Sequence, residues 1–252
     1  MVRGIESFKN WFHEYEDQYV IIGGTACDLL MNEGGLEFRA TKDIDLVLIV
    51  EAVDARFGAA FWKYIESAGY EHRNKSTGEP QFYRFTKPVS RDYPMMIELF
   101  ARKPEIIELP DNAVISPVPL DDDISSLSAI LLDDDYYEFL KQGRVKISGV
   151  TILDAQYLIP FKAKAWLDLL DKQESGVHVD SKDIRKHKND VFRLTVLLPR
   201  DPVPLSGVPA TVRTDMKVFI DKMKSESIDL KQLGIYNKTK EIVLDELAVM
   251  YT

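Results

Sequence analysis

Apolar side chains recur at three- and four-residue intervals through Phe8, Trp11, Phe12 and Tyr15, which predicts a helix over residues 5–15. Tyr19-Val20-Ile21-Ile22 is a short apolar run closed by Gly23-Gly24 and reads as a buried strand entering a tight turn. Thr25 stands where it would cap a helix over residues 26–32, and Gly34-Gly35 stops that helix. After a polar loop, residues 44–50 are apolar and β-branched apart from Asp45, as suits a central strand. A helix over 54–68 turns Phe57, Phe61, Ile65 and Ala68 inward and ends at Gly69. Strand-like runs follow at 70–73, 81–86 and 95–100, then Pro110, Pro117 and Pro119 break the chain. A hairpin is expected over 144–152 about Ser148-Gly149, and beyond it the periodicity turns helical at 153–170, 181–198, 208–224 and 238–250. The pattern therefore predicts an α/β (α+β) part over 1–150 and a helical part over 151–252, with no internal repeat.

Composition narrows the class. The 252 residues suit one large domain or two small ones, and no run of about 18 apolar residues offers a membrane span. The opening Met1-Val2-Arg3-Gly4-Ile5-Glu6-Ser7 lacks the apolar core of a signal peptide, so the expected location is the cytoplasm. One cysteine, Cys27, excludes an internal disulfide and a Cys-rich zinc site. The four histidines lack paired ligand spacing, so a metal would be held mainly by oxygen. Lys and Arg number 32 against 41 Asp and Glu, a net charge of −9. Residues 104–140 alone hold ten acids and no Lys or Arg, more than the entire surplus. That balance argues against binding extended duplex DNA, while Lys182, Arg185, Lys186, Lys188, Arg193 and Arg200 leave a local basic stretch against only Asp183 and Asp190.

The chemistry concentrates in Thr41-Lys42-Asp43-Ile44-Asp45-Leu46. Side chains two apart on a strand share a face, so Asp43 and Asp45 point the same way and a hard divalent cation would relieve their repulsion. Glu98 interrupts another apolar strand, 96–100, and is the third available carboxylate. An Asp-x-Asp alone also describes a solvated strand end, and a Gly-Gly turn alone is ordinary strand-to-helix geometry. The ordered combination carries more weight. Gly23-Gly24-Thr25 opens a helix whose N–H groups would receive phosphate, and Asp43 follows Gly24 by nineteen residues. A phosphate cradle with metal-binding carboxylates is equipment for transferring a nucleotidyl or phosphoryl group.

This order of motifs resembles the nucleotidyltransferase superfamily: an apolar strand, a Gly-Gly or Gly-Ser turn, a helix, Asp-x-Asp, and a third acid. The resemblance implies a nucleotidyltransferase-like mixed sheet flanked by helices, followed by a helical domain that completes the site. It implies that Asp43, Asp45 and Glu98 hold Mg²⁺ or Mn²⁺, and that Gly23, Gly24 and Thr25 hold the triphosphate of an NTP. In the second half, Leu158-Ile159-Pro160-Phe161-Lys162-Ala163-Lys164-Ala165 followed by Lys188-Asn189-Asp190-Val191-Phe192-Arg193-Leu194 resembles the AbiEii-type branch, which includes toxins of toxin–antitoxin pairs. By that likeness Lys162, or Lys164 two residues on, reaches nucleotide phosphates, and Asp190 orients that lysine or the acceptor. The implied acceptors are tRNA or another RNA end, a protein hydroxyl, or a small molecule, and the implied partner is an antitoxin protein.

Each residue also has a plainer reading. Lys162 and Lys164 would be the polar face of a helix, and Asp190 an exposed residue pairing with Lys186. The runs Asp121-Asp122-Asp123 and Asp133-Asp134-Asp135 suit solvated loops or helix starts, His187 a surface position, and Cys27, Trp11, Trp62 and Trp166 core positions. A non-catalytic protein of the same fold that binds nucleotide or a partner is the alternative. Gly-Gly-Thr does not meet the Gly-x-Gly-x-x-Gly pattern of dinucleotide-binding enzymes.

Overall fold

The computed structural model describes residues 2–73, 81–102 and 130–252. Its elements in chain order are α1 (Ile5–Phe12), β1 (Tyr19–Ile22), α2 (Gly23–Glu33), β2 (Asp43–Leu48), α3 (Ala55–Ala68), β3 (Glu71–Arg73), β4 (Gln81–Thr86) and β5 (Met96–Ala101). There follow α4 (Asp134–Gln142), the hairpin β6 (Arg144–Ile147) and β7 (Val150–Leu153), then α5 (Ala155–Glu174), α6 (Ser181–Leu194), α7 (Ala210–Ser225) and α8 (Lys240–Tyr251). The described residues up to 102 form one unit with Arg144–Asp154, and those from 130 to Gly143 form a second with Ala155–Thr252.

The first unit is built on a seven-stranded mixed sheet in the order β3-β4-β5-β2-β1-β7-β6. β2 lies between β1, its antiparallel partner, and β5, its parallel one. Central strands bury both faces, which is why Tyr19, Val20, Ile21 and Ile22 are all buried and read as a continuous apolar run. In β2 the alternation holds over residues 43–46, with Ile44 and Leu46 fully buried and Asp43 and Asp45 partly accessible, and ends where Val47 and Leu48 are both buried. Phe8 and Phe12 of α1 meet Tyr19 and, from α3, Tyr64 in edge-on or tilted ring contacts, with centroids 5.2 to 6.4 Å apart. Those four rings are buried completely, each worth roughly 1.5–3 kcal/mol of transfer free energy. Asp54, expected as the first helical residue, instead caps α3 by accepting from the Phe57 N–H, and Gly69 ends the helix at φ 60° as the sequence predicts. Ser148 (φ 53°) and Gly149 (φ 82°) make the two-residue turn expected of the hairpin.

The second unit packs α4, α6 and α7 around α5, with α8 on α7. Trp166 of α5 meets Phe219 of α7 edge-on, and Phe161 meets Tyr136 of α4. Pro160 lies inside α5 and has no N–H to give the Gln156 carbonyl four residues back. The Tyr251 hydroxyl of α8 donates to that carbonyl at 2.5 Å, so the proline gap is filled by a tertiary hydrogen bond.

Several expectations change. The helix α4 has no counterpart in the predicted pattern, because its acidic first turn and mixed polarity obscure the periodicity. Its start does obey helix-terminal electrostatics: Asp133 accepts from Tyr136 N–H, and Asp134 and Asp135 occupy the first turn. Asp121-Asp122-Asp123 and the three prolines lie outside the described residues. Among the described residues no helix is long and apolar enough to cross a membrane.

Candidate functional site

Strand register assembles the acids. In the parallel pairing of β2 with β5, Asp45 stands beside Glu98 and Asp43 beside Met96; in the antiparallel pairing of β5 with β4, Glu98 stands opposite Arg84. Asp45, Glu98 and Arg84 thus form a row across three adjacent strands, with Asp43 one step along the same face of β2. Arg84 holds Glu98 Oε1 through Nε at 2.8 Å and Nη2 at 2.7 Å. Glu98 is buried, and its carboxyl is pushed up to about 8 by that burial first, then by the charge and hydrogen bond of Asp45; Arg84 offsets only part of this. Two neighbouring carboxylates in a poorly solvated place favour a shared proton or a cation.

The glycine turn closes on the same acids. Gly23 has φ 69°, and a Cβ there would stand 1.6 Å from Asp45 Oδ2, so only glycine lets the carboxylate lie against the backbone that starts α2. Ile22 is the N-cap and supplies no side-chain cap, so no hydrogen bond from its own N-cap side chain covers the start of α2. Thr25 does not cap the helix as predicted. It sits inside the first turn, fully buried, and its hydroxyl donates to the Asp43 carbonyl at 2.5 Å. Thr25 therefore ties the turn to the acid-bearing strand. A Cβ on Gly24 would stand 2.8 Å from Thr41 Oγ1 and 3.4 Å from Arg39 Nη2.

Sequence reasoning missed two cations of this unit. Arg39 arrives from an irregular loop where no periodicity marks it, and Arg84 from a strand whose pairing with Glu98 depends on register across a separate connection. The only sequence signal was a lone basic residue inside an apolar strand.

The donor set answers the question of a metal in part. Asp43 and Asp45 offer hard oxygen donors on one face, while Glu98 is already engaged by Arg84. Among the described residues no group of three or more His, Cys, Asp or Glu side chains stands ready as a metal centre. The acid pair suits a hard divalent cation, with Glu98 reaching it only by sharing its carboxylate with Arg84.

In the second unit Lys162 and Asp190 come together. Lys162 Nζ is 3.5 Å from Asp190 Oδ2, and Arg193 Nη1 is 3.5 Å from Asp190 Oδ1. Asp190 is fully buried and Lys162 nearly so, which replaces the exposed-helix reading of both. His187, expected at the surface, is buried as well, because α6 turns its 187–190–191–194 stripe inward. Lys164 belongs to a different cluster: it meets Asp168 at 3.2 Å and Asp215 at 3.5 Å, and Tyr136 donates to Asp215 at 3.0 Å. That network links α4, α5 and α7. Cys27, Trp62 and Trp166 are buried as expected, whereas Trp11 is half-buried with its ring N–H on the Ala60 carbonyl.

No family model matches this chain and no curated protein matches it. Among solved structures, the Megavirus polyadenylate synthase aligns over 88% of this chain and 36% of its own length, at 12% identity and a TM-score of 0.40. The chain thus spans about a third of that protein, and so distant a likeness carries no weight for function.

Proposed function

We propose that this chain is a metal-dependent nucleotidyltransferase that moves NMP from an NTP onto an acceptor and releases pyrophosphate. One observation carries the reading: the Asp45 carboxylate lies against Gly23 at an uncapped helix start, with Asp43 on its strand and Glu98 on the next. Phosphate-binding amides and acidic oxygens are thereby side by side, as phosphoryl chemistry requires. Asp43 and Asp45 would hold Mg²⁺ or Mn²⁺, with Glu98 as the third acid. Such an ion, when bound, neutralises phosphate charge and lowers the pKa of an attacking hydroxyl. The chain's own groups do the rest: the α2 amides of Gly23, Gly24 and Thr25 orient the triphosphate, and the Thr25 hydroxyl fixes their position relative to Asp43. The acceptor oxygen forms a bond to the α-phosphorus as the bond to the pyrophosphate oxygen breaks, and the acceptor proton leaves to a carboxylate or to water.

Lys162, positioned by Asp190, is assigned to phosphate binding on the strength of the sequence motif, as are membership of the AbiEii-type branch and a role as toxin with an antitoxin partner. The acceptor is an RNA end, a protein hydroxyl or a small molecule. The engagement of Glu98 by Arg84 favours a second reading, in which the chain binds nucleotide without turnover.

The test incubates the protein with Mg²⁺ or Mn²⁺, each α-labelled NTP, and pooled tRNA, protein or aminoglycosides, beside Asp43→Ala/Asp45→Ala. Label on one acceptor with the intact protein only is the expected result. Nucleotide binding without label supports the second reading; transfer undiminished in the double variant overturns the assignment of the acids.

A further inference from the structure

The second unit contains a cleft between the segment that follows α6 and the one that precedes α8. It measures about 280 Å³, near the lower bound of small-molecule sites. Leu198 and Ile235, both buried, are among its apolar lining. Arg200, Tyr236, Asn237 and Lys238 line it too, and among the described residues no acid does, in a chain whose net charge is −9. Tyr236 is 74% exposed, so its ring is accessible to a ligand. Lys238 shares its charge with Glu246 at 2.7 Å, whereas Arg200 is exposed.

We propose that this cleft binds a single nucleotide unit, an aromatic base with its phosphate. A base has a flat apolar face for Leu198, Ile235 and the Tyr236 ring, an edge of donors and acceptors for Asn237, and a phosphate for Arg200 and Lys238. A cleft of about 280 Å³, open to solvent, is of the size of one such unit. An acidic peptide would satisfy the cations and leave the aromatic and apolar surfaces without a match, so charge alone does not account for the lining. The nucleotide comes either free or as an unpaired residue of an RNA strand. The inference does not rest on the proposed activity, because it concerns binding in the absence of metal and NTP turnover.

The test is NMR and fluorescence titration of the full chain without divalent ions, using nucleoside monophosphates, a short single-stranded RNA, its abasic counterpart and an oligoglutamate. Nucleotide or RNA is expected to shift the amides of 234–238, Leu198 and Arg200. Tyr236→Ala, an exposed position that leaves the fold intact, is expected to weaken binding by roughly tenfold. Arg200→Gln lowers the salt dependence of RNA binding by about one phosphate contact. Monophosphates that bind as well as the strand identify a free nucleotide; binding of the strand alone identifies RNA. Equal binding of the abasic strand or the oligoglutamate, or no shift in the cleft at millimolar nucleotide, overturns the proposal.

Discussion

At the scale of single residues, the acid row rests on one ion pair. Arg84 is the countercharge of a carboxylate that burial and Asp45 both disfavour, and their side chains are 20% and 9% exposed. Removing one partner of a buried pair costs about 3–5 kcal/mol when the other stays charged, and the partial exposure of Arg84 brings the expected loss for Arg84→Met to ~2–3 kcal/mol above about pH 8, and to less below it, where the Glu98 carboxyl takes up a proton. Urea denaturation measures it, and Arg84→Met/Glu98→Leu should recover most of the loss by removing the stranded acid. Equal stability of Arg84→Met and the parent would mean that Glu98 is satisfied by water or by Asp45 alone. Gly23 acts by a different principle, since what it contributes is the absence of an atom. Its role was legible as a turn, but the carboxylate that fills the space comes from Asp45, twenty-two residues later in the chain.

At the scale of elements, α5 and α6 are joined through Lys162, Asp190 and Arg193. Asp190→Leu leaves two cations facing an apolar side chain, and Lys162→Met leaves Asp190 beside Arg193. Each single change is expected to cost about 3–5 kcal/mol, Asp190→Leu the more, because the remaining charge stays buried. The double change should cost clearly less than the sum, with a coupling of about 2 kcal/mol in a double-mutant cycle read by chemical denaturation. Strict additivity would show that the two side chains are neighbours without being partners. The motif around each residue was visible in the sequence. Their pairing was not, because helical periodicity gives each helix a face but no partner.

At the scale of the molecule, buried phenols set an alkaline limit. Tyr19, Tyr64 and Tyr136 are all raised above the usual tyrosine range, by burial first and then by neighbouring groups: Glu16 for Tyr19, Tyr93 for Tyr64, Asp215 for Tyr136. Lys164 is raised too, since Asp168 and Asp215 more than offset its burial. A raised pKa contributes stability that is fully present below the unfolded value, near 10 for tyrosine, and is lost as the pH rises toward the folded one. Each tyrosine therefore removes about 1.4 kcal/mol per pH unit above about pH 10. Melting temperatures taken from about pH 9 to 11 should fall with a steepening slope, and Tyr64→Phe should make the slope shallower by one proton. A flat profile would mean that these phenols ionise in the folded state.

Most elements were written in the local sequence: the strand 19–22, the strand carrying Asp43 and Asp45, the helix ending at Gly69, the Ser148-Gly149 hairpin and the helices after it follow from local periodicity and turn chemistry, whereas α4 does not. The sequence by itself determined that Asp43 and Asp45 share a face, because side-chain alternation is a local property of any strand. The tertiary structure decided what stands beside them. Register between strands far apart in sequence put Glu98 next to Asp45 and Arg84 opposite Glu98, and packing turned Asp190 and His187 inward. Such pairings depend on which elements meet and at what offset, and that choice is made by the free energy of burying all the faces together rather than by any one segment.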